Sequence, residues 1–209
     1  MIEVVPAINA ESFEEVVRKI KKIEPFSRWV HIDIADGTFT PNSIWHHSED
    51  LMTLDTPLFV ELHLMIADMD LRWRDWTLPA VNRIIFHFEA AHDPTLVIGK
   101  IHDAGQEAGI AIRPETDWHK VEPFLTTADL VQTLAVPPGK PGQEFRPEVI
   151  DKIRALSSHH DECIIEVDGG INQKTGKECV EAGAKILVSA NYIFNAPDIG
   201  KAIEELRSV

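Results

Sequence analysis

A chain of 209 residues, 44% of them hydrophobic, can bury one large core, and α/β barrels of about 250 residues routinely fold as a single domain. With a formal net charge of −14 and no run of Lys and Arg that stands out, the electrostatic footprint of a nucleic-acid binder is missing. No apolar stretch approaches the roughly 18 residues of a membrane span, and the start MIEVVPAIN lacks a basic leader region; with only Cys163 and Cys179, too few for a disulfide framework and wrongly spaced for zinc, a cytoplasmic protein is expected.

Short runs rich in Val, Ile and Phe alternate with amphipathic stretches along the chain, the pattern of βα units around a parallel sheet. In chain order the strand candidates are IEVVPAIN (2–9), WVHIDIA (29–35), LFVELHLM (58–65), RIIFHFE (83–89), GIAIRP (109–114), LVQTLAV (130–136), CIIEVDG (163–169) and KILVSAN (185–191). Helical candidates follow most of them: SFEEVVRKIKKI, DPTLVIGKIHDAG, RPEVIDKIRALS, QKTGKECVEAG and DIGKAIEELRS. Asp198 stands ahead of an apolar-periodic run, and Gly105 and Gly183 stand where helices should stop. The two thiols are expected to be small buried hydrophobes.

Eight such units close most naturally into a (β/α)8 TIM barrel, although an open doubly wound sheet reads similarly over any three or four of them. No linker or composition shift interrupts residues 1–209, so a single domain is expected, and the long irregular segment GTFTPNSIWHHSEDLMTLDT after the second strand is taken as a functional loop.

Chemistry in a barrel sits at the carboxyl ends of the strands. His31 and Asp33 are two apart on one strand and share a face, His63 lies near the end of the third strand, and Asp168 closes the seventh. Two imidazoles and two carboxylates at one mouth form a four-ligand site for a divalent metal such as Zn, Fe, Mn or Co, whereas any of the histidines alone reads more simply as a hydrogen-bonded core residue. Gly169 and Gly170 follow Asp168, where exposed N–H groups and a helix start suit an anion; a tight turn is the equal alternative. His87 and Glu89 share a face of the fourth strand, either orienting ligands or bonding each other in the core. Trp45 and His46 in the long loop are candidates for sugar contacts or for loop packing, and adjacent His46 and His47 make a poor second metal site. Trp73 and Trp76 are expected in packing or a subunit contact. No strand offers an inward lysine at its carboxyl end, which argues against Schiff-base aldolase chemistry.

The segments HIDIADGTFTPN, ELHLM, FHFEA, EVDGGIN and PGQEFRPEVIDKIRAL resemble, in order and spacing, those of the ribulose-phosphate 3-epimerase family, and the similarity runs from Pro6 to Phe194. The resemblance implies a (β/α)8 barrel of the ribulose-phosphate-binding type. It also implies an isomerase that inverts C3 of a ketopentose phosphate, D-ribulose 5-phosphate to D-xylulose 5-phosphate, by two-aspartate proton transfer through a metal-stabilised enediolate. Position by position it makes His31, Asp33, His63 and Asp168 ligands of one divalent metal ion and Asp33 and Asp168 the acid/base pair. His63, Gly139, Gly142, Gly169, Gly170, Ala190 and Asn191 would meet the substrate and its phosphate. A homo-oligomer is also implied.

Departures gather around the substrate. Ala7 stands for a serine, Ala35 for a methionine, and Gln132 or Leu134 for another methionine; Gly139-Lys140-Pro141-Gly142 replaces Gly-Phe-Gly-Gly, and Ala190-Asn191 replaces Gly-Ser. Pro141 cannot donate an N–H, while Lys140 adds a charge. An epimerase for another ketose phosphate, such as a hexulose 6-phosphate, and a non-catalytic sugar-phosphate-binding barrel are the alternatives.

Overall fold

The computed structural model describes residues 2–139, 142–160 and 162–209; Lys140 and Pro141 therefore lie outside the described residues. All eight apolar runs are strands: β1 (Glu3–Ile8), β2 (Trp29–Ala35), β3 (Phe59–Met65), β4 (Arg83–His87), β5 (Glu107–Ile112), β6 (Leu130–Leu134), β7 (Ile165–Asp168) and β8 (Ile186–Ser189). Each pairs in parallel with the next and β8 pairs with β1, which closes the barrel and removes the open-sheet alternative.

The five helical candidates appear as α1 (Phe13–Ile23), α3 (Pro94–Asp103), α4 (Val149–His159), α5 (Gln173–Ala182) and α7 (Ile199–Arg207), with short α2 (Met69–Arg72) and α6 (Asn191–Phe194) between them. Local chemistry explains their ends. Ser12 caps α1 by accepting from the Glu15 amide, Asn172 and Thr175 cap α5 reciprocally, and Asp198 caps α7. Gly183 stops α5 at a φ of 119°, open to glycine and strained for other residues. The crossovers after β2 and β5 carry only 3-10 turns, at Ser48–Thr53, Trp118–Lys120 and Glu122–Phe124.

Period-two alternation sorts each strand into two faces. Val30, Ile32, Ile34, Val60, Leu62, Leu64, Ile84 and Phe86 belong to the large outer core beneath the helices, all fully buried. A smaller inner core holds Val5, Ala7, Ile85, Ala111, Leu130, Ile186 and Val188. Gly109 lets it close, since a Cβ there would stand 2.8 Å from Ile85 and 2.9 Å from Leu130. The buried residues also include His31, Glu61, His63, His87, Gln132 and Glu166, each on a strand whose apolar neighbours face the outer core. Cys179 is buried as expected while Cys163 is only partly so, and both are free thiols. Trp76 is buried packing.

Candidate active site and metal centre

Strand register sets the polar residues of the barrel at matching heights. His31 of β2 stands opposite Ala7 and Glu61, Asp33 stands opposite His63, and Asp168 stands opposite Leu134. His31, Asp33, His63 and Asp168 thereby each offer one ligand atom within 4.8 Å of the others. Asp33 Oδ1 lies 3.0 Å from His63 Nδ1 and 3.4 Å from His31 Nε2, and Asp168 Oδ2 lies 4.0 Å from His63 Nδ1. His31 Nε2 is buried in the cluster without a hydrogen bond, the kind of orphaned donor atom that a cation satisfies. Two nitrogens and two carboxylates are a donor set that Zn, Mn, Fe or Co accepts.

The two aspartates differ in environment. Burial works against ionisation of Asp33, but the His31 and His63 rings beside its Oδ1 prevail and hold its carboxyl well below the usual range. Asp168, buried and facing the charge of Asp33, is pushed up to about 6. Carboxyls whose surroundings drive them apart in this way suit opposite acid/base roles.

Behind the two histidines of the cluster are side chains that fix their ring orientation. His31 Nδ1 donates to Glu61 Oε1 at 2.6 Å, and Glu61 Oε2 receives the Arg83 guanidinium at 2.6 Å. Arg83 also pairs with Glu107 and lies 4.1 Å over the Trp29 ring, sealing the barrel floor. Beside this pair, Glu166 accepts from Gln132 at 2.9 Å; burial, then the charge of Glu61, pushes its carboxyl up to about 8, so it holds its proton at neutral pH. On the other side His63 Nε2 meets His87 Nε2 at 2.9 Å, and His87 Nδ1 donates to Glu89 Oε2 at 3.3 Å. Glu89 in turn accepts from the Arg113 amide at 3.1 Å and from the Thr116 hydroxyl. Burial pushes the His87 imidazole down to about 4, so the ring is neutral: its Nδ1 proton goes to Glu89, and its Nε2 accepts from His63. With that proton on Nε2, His63 would have its Nδ1 lone pair free for a cation in the cluster; with the proton on Nδ1 instead, it would donate to Asp33 Oδ1 at 3.0 Å. His87 and Glu89 do meet, but not as two residues of one strand face: β4 ends at His87, and Glu89 belongs to a 3-10 turn, Phe88–Ala90, that brings its carboxylate to 3.3 Å. Glu61 and Glu166 were missed, although each stands two residues before His63 or Asp168 and so on the same face.

Above the cluster opens a cavity of about 530 Å³. Asp33, His63, Asp168, Gly139, Gly142, Gly169, Gly170, Ala190 and Asn191 all line it, so every expected substrate-side position is brought to one place. His31 lies beneath it, fully buried. Gly170 adopts a φ of +68° with its Cα facing Phe145, where a Cβ would come within 2.9 Å of that residue's backbone N. Ala7 and Leu134 line the cavity, but Ala35 does not: it packs with Ile44 and Met65 under the long loop, because the Ile44 amide pairs with its carbonyl at 2.9 Å. Its departure from the family pattern therefore alters loop packing rather than the cavity wall. Gln132 belongs to the buried network, which leaves Leu134 as the wall position. Trp45 packs on Phe13 at 5.2 Å between ring centroids and donates to Asp50, and His46 stacks on His47 with its Nδ1 against the Ile44 carbonyl. None of the three lines the cavity, so packing accounts for them.

The chain matches the ribulose-phosphate 3 epimerase family over residues 3–194. It is 38% identical over 188 residues to the ribulose-phosphate 3-epimerase of Chlamydia pneumoniae, covering 86% of this chain and 82% of that protein. To that of Synechocystis it is 34% identical, with 99% and 94% covered, and to that of Bacillus subtilis 33% identical, with 99% of both covered. Among solved structures, KGPDC from Streptococcus mutans superposes with a TM-score of 0.76 at 10% identity, over 99% of this chain and 96% of that one. The 3-hexulose-6-phosphate synthase of Salmonella typhimurium does so with a TM-score of 0.70 at 14% identity, over 99% and 97%, and at such identities these likenesses speak to the fold alone. On the family match and the near-complete coverage of these relatives, the chain belongs to the ribulose-phosphate 3-epimerase family and is a carbohydrate epimerase of the isomerase class.

Proposed function

We propose that this chain, as a single (β/α)8 domain, interconverts D-ribulose 5-phosphate and D-xylulose 5-phosphate with the help of one divalent metal ion held by His31, Asp33, His63 and Asp168. The observation that carries the reading is the placement of two carboxylates from separate strands, Asp33 of β2 and Asp168 of β7, in one cluster under one cavity. Inversion at a carbon needs a group to take the C3 proton from one face and another to return a proton to the opposite face. Asp33, kept ionised by the imidazoles beside it, takes the first role, and Asp168, which holds a proton more readily, takes the second; in the reverse direction the roles exchange. Bound cation supplies Lewis acidity toward the ketone and the developing negative charge.

The protein's own groups do the rest. Glu61 and the His87–Glu89 pair hold the two imidazoles in the ligating tautomer, and the glycine-lined loops at Gly139, Gly142, Gly169 and Gly170, with Ala190 and Asn191, offer backbone amides to the phosphate. Because Ala7 and Leu134 form the wall, a longer ketose such as a hexulose 6-phosphate is the second reading. No helix among the described residues is long and apolar enough to cross a membrane. The same reading extends to a cytoplasmic homo-oligomer, which light scattering on the purified protein tests.

The experiment is solvent-deuterium exchange at C3 over a panel of ketose phosphates, with protein loaded separately with Zn, Mn, Fe or Co. Exchange and inversion should be fastest with D-ribulose 5-phosphate, and Asp33→Asn and Asp168→Asn should each lower inversion by about 10²–10⁴-fold. Bound metal without exchange on any substrate would refute the catalytic reading and leave a binding-only barrel.

A further inference from the structure

Asn9 is a polar residue of the cavity wall that lies outside the cluster of four described above. Along β1, Ala7 stands opposite His31 and Ile8 opposite Ile32, so the next residue, Asn9, continues the register toward Asp33. Asn9 shares the inward face of Ala7 and lines the cavity with it, and of these two only Asn9 can form side-chain hydrogen bonds. Its Nδ2 donates to Asp33 Oδ2 at 3.3 Å. The two oxygens of Asp33 are thus divided: Oδ1 faces His63 Nδ1 and His31 Nε2, and Oδ2 faces Asn9. Asn9 is itself held in place, because Lys19 Nζ donates to its carbonyl at 2.8 Å while pairing with Glu15 at 3.0 Å and lying over the Phe194 ring.

We propose that Asn9 is a positioning residue for Asp33, whose amide donation to Oδ2 fixes the carboxylate plane so that one oxygen serves the ligand cluster and the other is presented to the carbon acid. A carboxylate held at Oδ1 alone can still turn about its last side-chain torsion, which is broad and roughly two-fold. A second donor on Oδ2 removes that freedom, and near-attack geometry is sensitive to displacements of this size. The anchor from Lys19 makes the donor a fixture of the β1–α1 junction rather than a mobile side chain. The proposal rests on the epimerase reading for its kinetic consequence, and on geometry alone for the orientation of Asp33.

The test compares Asn9→Leu, Asn9→Ser and Asn9→Asp with the wild type in kcat and KM for D-ribulose 5-phosphate, bound metal per chain, and crystal structures. Asn9→Leu keeps the branched shape without the donor and should lower kcat about tenfold with KM within about twofold, the loss of one hydrogen bond to a charged group. Metal content should not change, and the Asp33 carboxylate should be rotated or disordered in the crystal. Asn9→Ser, which keeps a donor, should recover part of kcat, and Asn9→Asp, which sets a second carboxylate against Oδ2, should lose more than Asn9→Leu. A kcat for Asn9→Leu within about twofold of wild type, a loss that only follows lost metal or lost folding, or an unmoved Asp33 plane would each overturn the proposal. If the wild type inverts no ketose phosphate, the epimerase reading fails, and the Asp33 plane in Asn9→Leu still decides for or against Asn9.

Discussion

His87→Leu should weaken metal binding by a factor of about 10–100 without unfolding the protein. The wild-type contact is a 2.9 Å approach of His87 Nε2 to His63 Nε2, with His87 fully buried and His63 nearly so. Leucine fills a similar volume but accepts nothing, at a fully buried position packed by the Phe39 ring 4.5 Å from the His87 ring. The His63 Nε2 proton is then left without its acceptor, which costs about 1–3 kcal/mol. His63 avoids part of that cost by moving the proton to Nδ1, where it donates to Asp33, and this is the tautomer that cannot ligate. Whichever form prevails, the energy appears in the binding equilibrium, where about 1.4 kcal/mol is a factor of ten. The assay is competition for Zn against a chelating dye, accompanied by the melting temperature of the metal-free protein. His87→Gln, whose side-chain carbonyl can accept from His63, should bind metal more tightly than His87→Leu. Wild-type affinity in a folded His87→Leu variant would refute the relay.

Arg83→Met should destabilise the chain by about 3–5 kcal/mol in urea unfolding, because it leaves the Glu61 carboxylate, fully buried, without the guanidinium 2.6 Å away; an unchanged midpoint would contradict the account of the barrel floor. Glu89 gives a pH signature: burial opposes its ionisation, but hydrogen bonds from His87 and Thr116 prevail and hold it at about 2, below the ordinary value of 4.5. Its contribution is therefore present in full above pH 4.5 and is lost as the pH falls toward 2, so the stability gap between wild type and Glu89→Gln should narrow over that interval; a gap independent of pH would count against it. Gly170→Ala, at a φ of +68° and with its Cβ against Phe145, should cost about 1–2 kcal/mol of stability and raise KM severalfold, and a normal KM would remove this loop from the phosphate site.

The strand-and-helix order was legible because it is a local property. Runs such as WVHIDIA and FVELHLM alternate at period two, Asp198 and Gly183 mark helix ends, and these signals place all eight strands. The same alternation put His31 with Asp33 on a shared face, as the geometry has them, whereas Glu89 reaches His87 from the 3-10 turn that follows β4. It equally places Glu61 with His63 and Glu166 with Asp168, a signal that was available and went unread because a Glu in an apolar run does not by itself disclose a partner. Arg83 is that partner for Glu61, and it lies on another strand.

Face and order along each strand are thus determined by the chain itself. Height around the barrel is not: whether Asp33 meets His63, whether Asn9 continues the register toward Asp33, and whether Ala35 looks into the cavity or under the loop depend on strand pairing and closure. Alternation repeats every two residues within a strand and carries no information about the stagger between strands, which only the closed sheet and the loops packed over it decide.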